Sequence, residues 1–217
     1  MRLPAGRSVF LALLLVLVAA APPGAGERVI VVLGDSLTAG LGVAGDEAYP
    51  ALLEARLRRE GFHYRVVNAG VSGDTTAGGL RRLDWVLRSQ PDIVIVALGA
   101  NDGLRAQPVA ALRDNLTAIV TRLRAAGTRV LLAGMRLPPN YGAAYAGAFA
   151  EAFHAVARGT LVPFVPFLLD GVGGDPRLNQ ADGIHPNAAG HRVVADTVWR
   201  GLRPLLENSA PLTHRRS

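Results

Sequence analysis

Five largely apolar runs, rich in β-branched residues, recur along the chain, and segments with helical spacing separate them. The runs are RVIVVLG (Arg28–Gly34), YRVVNAG (Tyr64–Gly70), DIVIVALG (Asp92–Gly99), RVLLAGM (Arg129–Met135) and LVPFVPF (Leu161–Phe167). A strand with one wet face alternates polar and apolar residues, so a continuous run implies cover on both faces. The intervening segments Tyr49–Arg59, Asp74–Leu87, Val109–Ala126, Tyr145–Ala157 and Ala188–Leu206 place apolar residues three or four apart, as one buried helix face requires. Leu112, Leu116, Ile119, Val120 and Leu123 make the clearest such stripe. The alternation predicts an α/β fold: a parallel sheet between two helix layers. Right-handed crossovers then gather the strand C-termini along one edge, where ligands bind in sheets of this kind.

The start of the chain reads differently. Arg2 and Arg7 precede an uncharged apolar run from Val9 to Ala21, too short for the ~20 residues that cross a bilayer. With the small residues that follow, this is the pattern of a secretory signal peptide over residues 1–26. An uncleaved anchor is the competing reading. One domain is expected over residues 27–207, and residues 208–217 read as a disordered tail because they lack periodicity. Export places the protein in a bacterial periplasm or outside the cell, with no stable membrane span after processing. The chain has no cysteine, which excludes a disulfide framework and a thiolate metal site.

Without the leader's two arginines the charge is 21 basic against 17 acidic residues, a net of +4. All the basic residues are arginines. They lie mostly on helical segments such as EARLRRE, where a solvated face explains them. Aromatics make up 6% of the chain, few for stacking on bases, so no nucleic-acid partner is expected. Asn115-Leu116-Thr117 is a formal glycosylation triplet inside a predicted helix and is read as chance.

The segment VVLGDSLTAGLGVAG, from Val31, is either a phosphate cradle or the mount of a nucleophile. Gly40 to Gly45 matches G-x-G-x-x-G, but that pattern binds dinucleotides only where it forms the strand-to-helix turn. Here the strand ends six residues earlier, at Gly34, and the next helix is expected only at about Tyr49. These glycines are read as a flexible loop. The alternative makes Ser36 a nucleophile, which needs an imidazole to take its proton. His63, His154, His191 and His214 fall on helical stretches or in the tail. His185 lies in a turn-rich segment, NQADGIHPNAAG, with Asp182 three residues before it. One tight turn would aim that carboxylate at the ring, Pro186 would limit the backbone, and Asn187 would cap the next helix. Taken alone, D-x-x-H is also compatible with an ordinary capped loop. Acyl transfer further requires donors for an oxyanion. Gly73 in NAGVSGDTT follows the second run, and Asn101 in GAND follows the third. Each alone reads as a turn glycine or a loop cap.

GDSLTAG, NAGVSGDTT, GAND and DGIHP, in this order and at these strand ends, resemble the four blocks of the GDSL, or SGNH, hydrolases. The resemblance runs from about Arg28 to Leu206. It is closest to the bacterial periplasmic acyl-CoA thioesterase I, lysophospholipase and arylesterase branch, through VVNAGVSGDTTAGGLRRL, GANDGLR, MRLPPNYG and LNQADGIHPN. It implies a three-layer αβα sandwich with five parallel strands in flavodoxin-like order 2-1-3-4-5. It implies Ser36 as nucleophile, His185 as base and then acid, and Asp182 as the group that orients it. It implies an oxyanion hole of the Ser36 and Gly73 amides and the Asn101 side chain. Ala100 stands where close relatives often have glycine.

The resulting expectation is a serine esterase that cleaves carboxylic esters and thioesters of acyl chains through an acyl-serine, with no cofactor and no metal. Its partners would be small-molecule acyl esters, and nothing demands more than a monomer. Leu37, Leu104, Met135, Leu137, Pro138, Tyr141, Tyr145 and Ile184 are the candidates for acyl-chain contact. A carbohydrate-ester deacetylase and a non-catalytic exported lipid-binding module are the competing functions.

Overall fold

The structure, a computed structural model, describes residues 28–207; the expected leader (1–26) and tail (208–217) lie outside the described residues. Five parallel strands form one sheet: β1 (Arg28–Gly34), β2 (Tyr64–Gly70), β3 (Ile93–Ala97), β4 (Arg129–Ala133) and β5 (Phe164–Val165). Their order is β2-β1-β3-β4-β5, and the pairing is in register from Arg28 opposite Tyr64 to Gly34 opposite Gly70. The expected α/β class and strand order are therefore present. The central strands are buried on both faces: Ile30, Val32, Leu33 and all of Ile93–Val96 are fully enclosed. Each such side chain contributes about 1.5–3 kcal/mol through burial, which is why these runs are continuous rather than alternating.

Eight α-helices and one short 3-10 helix (Pro139–Tyr141) complete the described chain: α1 (Ser36–Ala39), α2 (Tyr49–Arg59), α3 (Thr76–Arg81), α4 (Leu83–Arg88), α5 (Ala100–Leu104), α6 (Val109–Ala125), α7 (Ala143–Thr160) and α8 (Ala188–Glu207). Helices α2 and α8 pack together on one face of the sheet; α3, α6 and α7 form the opposite layer. The apolar stripe of α6 is buried over its whole length. No described helix is long and apolar enough to cross a membrane.

Three elements differ from the periodicity. The segment read as one helix over 74–87 is two, because the chain turns at Arg82. The fifth strand shrinks to two residues: Pro163 and Pro166 flank it and lack the N–H groups that a longer ladder needs. The stretch after β1 is not only a turn. Ser36 opens the one-turn helix α1, whose end is closed by Gly40 in the left-handed conformation.

Candidate active site

Ser36, Gly73 and Asn101 all follow the carboxyl ends of their strands β1, β2 and β3. Gly34 ends β1, and Asp35 caps α1 by accepting from the Leu37 N–H at 3.0 Å. Thr38 and Tyr49 share a hydroxyl–hydroxyl bond of 2.7 Å that pins α1 to α2. Gly70, at the end of β2, packs against the Ala39 backbone so closely that a Cβ there would lie 2.2 Å from the Ala39 nitrogen. Only glycine lets the second strand pass the helix that Ser36 opens. Ser36 is thereby held between two strand ends before its side chain meets anything.

The long connection from Val165 to Ala188 brings His185 back over this edge. Ser36 Oγ lies 2.9 Å from His185 Nε2, across 149 positions of sequence. On the other side of the ring, His185 Nδ1 lies 2.6 Å from Asp182 Oδ2. The Asp182 Oδ1 atom accepts from the His185 N–H at 3.0 Å and the Ile184 N–H at 2.9 Å. The His185 backbone bond, then its ring, then the Ile184 amide hold the Asp182 carboxyl down at about 2. Asp182 is therefore a carboxylate across the physiological range, and it orients the ring by both backbone and side chain. Asn187 caps α8 by accepting from the Gly190 N–H at 3.0 Å. A serine hydroxyl on one imidazole nitrogen with a carboxylate on the other is the arrangement that removes the hydroxyl proton as oxygen attacks carbon.

The donors stand opposite. The Ser36 and Gly73 amides donate to no acceptor among the described residues. Gly73 has φ +79°, a conformation that costs glycine nothing. The Asn101 side-chain amide donates one proton to the Asp74 carbonyl at 2.9 Å. Its bond to Asp35 Oδ2 spans 3.5 Å and is weak. The short bond fixes the amide plane and leaves the other proton loosely held.

Several further residues support these loops. Arg82 donates to the Gly34 carbonyl (2.8 Å), the Ala69 carbonyl (2.7 Å) and Asp74 Oδ2 (2.8 Å), so one guanidinium joins the ends of β1 and β2 to the loop after Gly73. Buried Asp102 accepts from the Thr76 N–H at 2.9 Å and its hydroxyl at 2.5 Å, and Asn115 donates to the same hydroxyl. The formal glycosylation triplet is thus part of an internal network. Gln180 donates to the Leu41 and Pro186 carbonyls, and its N–H to the His185 carbonyl, which docks the histidine loop on the loop after α1. Burial pushes the Asp35 carboxyl up to about 6, against the bond from Leu37 that favours its charge. The sequence signal for Asp35 was its place beside Ser36. Arg82 and Gln180 lie in segments that carry the resemblance, but no spacing in the sequence shows their partners.

The candidate acyl contacts divide. Leu37 and Met135 are 4% and 6% exposed and belong to the hydrophobic core, so they offer little surface to a ligand. Leu104, Leu137, Tyr141 and Tyr145 are half-buried, while Pro138 and Ile184 are exposed. Tyr141 donates to the Leu104 carbonyl at 3.0 Å and Tyr145 to the Gln107 carbonyl at 2.7 Å, tying the loop after α5 to the start of α7. His191 is buried and accepts from the Tyr49 N–H at 3.3 Å; burial lowers its pKa, and it is a packing residue. Among the described residues no three His, Cys, Asp or Glu side chains cluster as metal ligands.

Known proteins resemble this chain over most of its length. Esterase TesA of Pseudomonas aeruginosa is 47% identical over 183 residues, covering 84% of this chain and 91% of that protein. Thioesterase 1/protease 1/lysophospholipase L1 of Escherichia coli is 38% identical over 182 residues, covering 83% and 86%. The crystal structure of TesA superposes with a TM-score of 0.81 at 47% identity, over 82% of this chain and all of that one. Residues 32–193, which contain Ser36, Gly73, Asn101, Asp182 and His185, match the GDSL-like Lipase/Acylhydrolase family, and the chain belongs to that family.

Proposed function

We infer that Ser36 is the nucleophile of this ester-bond hydrolase, and that it acts on carboxylic esters and thioesters of acyl chains. The observation that carries the reading is the continuous path from Ser36 Oγ through the His185 ring to Asp182, at 2.9 and 2.6 Å.

The cycle has two halves. As Ser36 Oγ bonds to the acyl carbon, its proton passes to His185 Nε2. The carbonyl oxygen becomes an oxyanion, which the Ser36 and Gly73 amides and the Asn101 amide stabilise. The intermediate collapses, the bond to the alcohol or thiol breaks, and that leaving group takes the proton from His185. Water then gives a proton to His185 and attacks the acyl-serine, and the acid leaves as Ser36 regains its proton. Asp182 stays ionised and stabilises the imidazolium in both halves. No step calls for a cofactor. Leu104, Leu137, Pro138, Tyr141, Tyr145 and Ile184 are the candidates for acyl-chain contact; their side chains are half-buried or exposed, which supports that role.

The basic-then-apolar start of the sequence supports an exported enzyme, cut before residue 27 and acting as a monomer on esters outside the cytoplasm, among them lysophospholipids and small carboxylic esters. Amino-terminal sequencing of the exported protein tests the leader. The enzymatic reading is tested by Ser36→Ala, assayed on p-nitrophenyl esters of rising chain length. Hydrolysis is expected to vanish while the thermal transition is kept; an active variant refutes the assignment.

A further inference from the structure

Arg105, just past α5, is exposed and reaches back 32 positions to donate from Nη2 to the Gly73 carbonyl at 2.9 Å. It lies close over that residue: a Cβ built on Gly73 would be 3.5 Å from the same nitrogen. A guanidinium carries five N–H donors, and the Gly73 carbonyl is the one partner this side chain has among the described residues. No described carboxylate stands within 4.0 Å of it, unlike Arg82, Arg122 or Arg177, each of which has a carboxylate partner. The amide and carbonyl of one residue are about 3 Å apart, so this charge sits within about 7 Å of the Gly73 N–H. A phosphate on the alcohol side of a glycerol ester lies at a similar reach from the ester carbonyl.

We propose that Arg105 is a specificity-determining residue that favours acyl substrates whose leaving group carries a phosphate. The proposal rests on the reading of Ser36 and Gly73 given above. Gly73 orients the guanidinium with one bond, and the remaining donors form the fork that matches phosphate oxygens. The bond to Gly73 holds the charge beside the loop that carries the Gly73 amide.

The test compares two soluble substrates with the same acyl group and the same ester, monolauroylglycerol and lauroyl lysophosphatidic acid. Each is assayed below its micellar concentration with the parent, Arg105→Gln and Arg105→Lys. The readout is the ratio of kcat/KM for the phosphate ester over the neutral one, so any common loss from loosening Gly73 cancels. Arg105→Gln is expected to lower that ratio about five- to tenfold, mainly through KM, while Arg105→Lys keeps most of it. The parent's ratio is expected to fall as salt is raised, which keeps the test open if the glutamine variant fails to fold. A second pair, lauroyl-CoA against a neutral lauroyl thioester, distinguishes the source of the phosphate: a fall confined to one pair identifies which leaving group Arg105 meets. Ratios unchanged within twofold in both pairs overturn the proposal. Failure of the underlying reading is distinct, because it would leave Ser36→Ala active on the neutral ester.

Discussion

The two halves of the site are built in contrasting ways. Ser36, Gly73 and Asn101 follow three adjacent strands, and buried or half-buried bonds from Asp35, Arg82, Asp102 and Thr76 hold their loops. Asp182 and His185 ride on the irregular connection after β5, tied down by Gln180 and a single bridge between Asn179 and Pro186. Asp182 remains 44% exposed, and the Asn179 Oδ1 atom beneath the loop is buried without a partner. The donor side is part of the core, so its chemistry and its stability are joined. The histidine side is attached to the core, so the two come apart.

That contrast is sharpened by substitution. His185→Ala should reduce kcat by at least about 10⁴-fold, as loss of a member of such a unit does, with a melting temperature close to the parent's. Asp182→Asn should cost about 10²–10⁴-fold, since an amide favours the wrong tautomer, again with little change in melting. On the opposite side, Asn101→Ala should lower kcat by about 10²–10³-fold. Arg82→Met should lower kcat by roughly tenfold and also lose about 2–3 kcal/mol of stability, because three carbonyl and carboxylate oxygens lose their donor. If chemical denaturation shows Arg82→Met as stable as the parent, the division between a core-built and an attached half is wrong.

The last effect concerns pH and is read in stability alone. Burial raises the Asp35 carboxyl from 3.8 to about 6, so the folded chain holds this proton more tightly than the unfolded chain. The sign follows from linkage: stability is fully present below about 3.8 and falls as pH rises toward 6, by roughly 3 kcal/mol at most. Asp35→Asn keeps the cap on Leu37 and removes the titration. Its stability relative to the parent should therefore improve between pH 4 and 7, read from melting curves. A difference that stays flat over this window would show that Asp35 is not held in a raised state.

The same division explains what the sequence made legible. Continuous runs such as DIVIVALG disclose a sheet covered on both faces because burial acts on every residue of the strand. Ser36, Gly73, Asn101 and His185 could be singled out because each stands beside a strand end or in a turn-rich loop, and the four ordered blocks of the family resemblance joined them; their meeting in space is not visible in any one segment. The break at Arg82 was hidden, since the leucines on either side keep helical spacing while the guanidinium answers to carbonyls 13 and 48 residues away. The burial of Leu37 and Met135 was hidden for a related reason: adjacency in sequence to a site loop does not show which way a side chain packs.

The account stands on an activated Ser36 that forms a covalent intermediate. Its most direct measurement is peptide mass spectrometry after exposure to a fluorophosphonate. The predicted result is one adduct, on Ser36, formed rapidly in the parent, drastically slowed in His185→Ala and absent in Ser36→Ala. An adduct on another residue, or labelling of Ser36 that proceeds equally fast without His185, would contradict it.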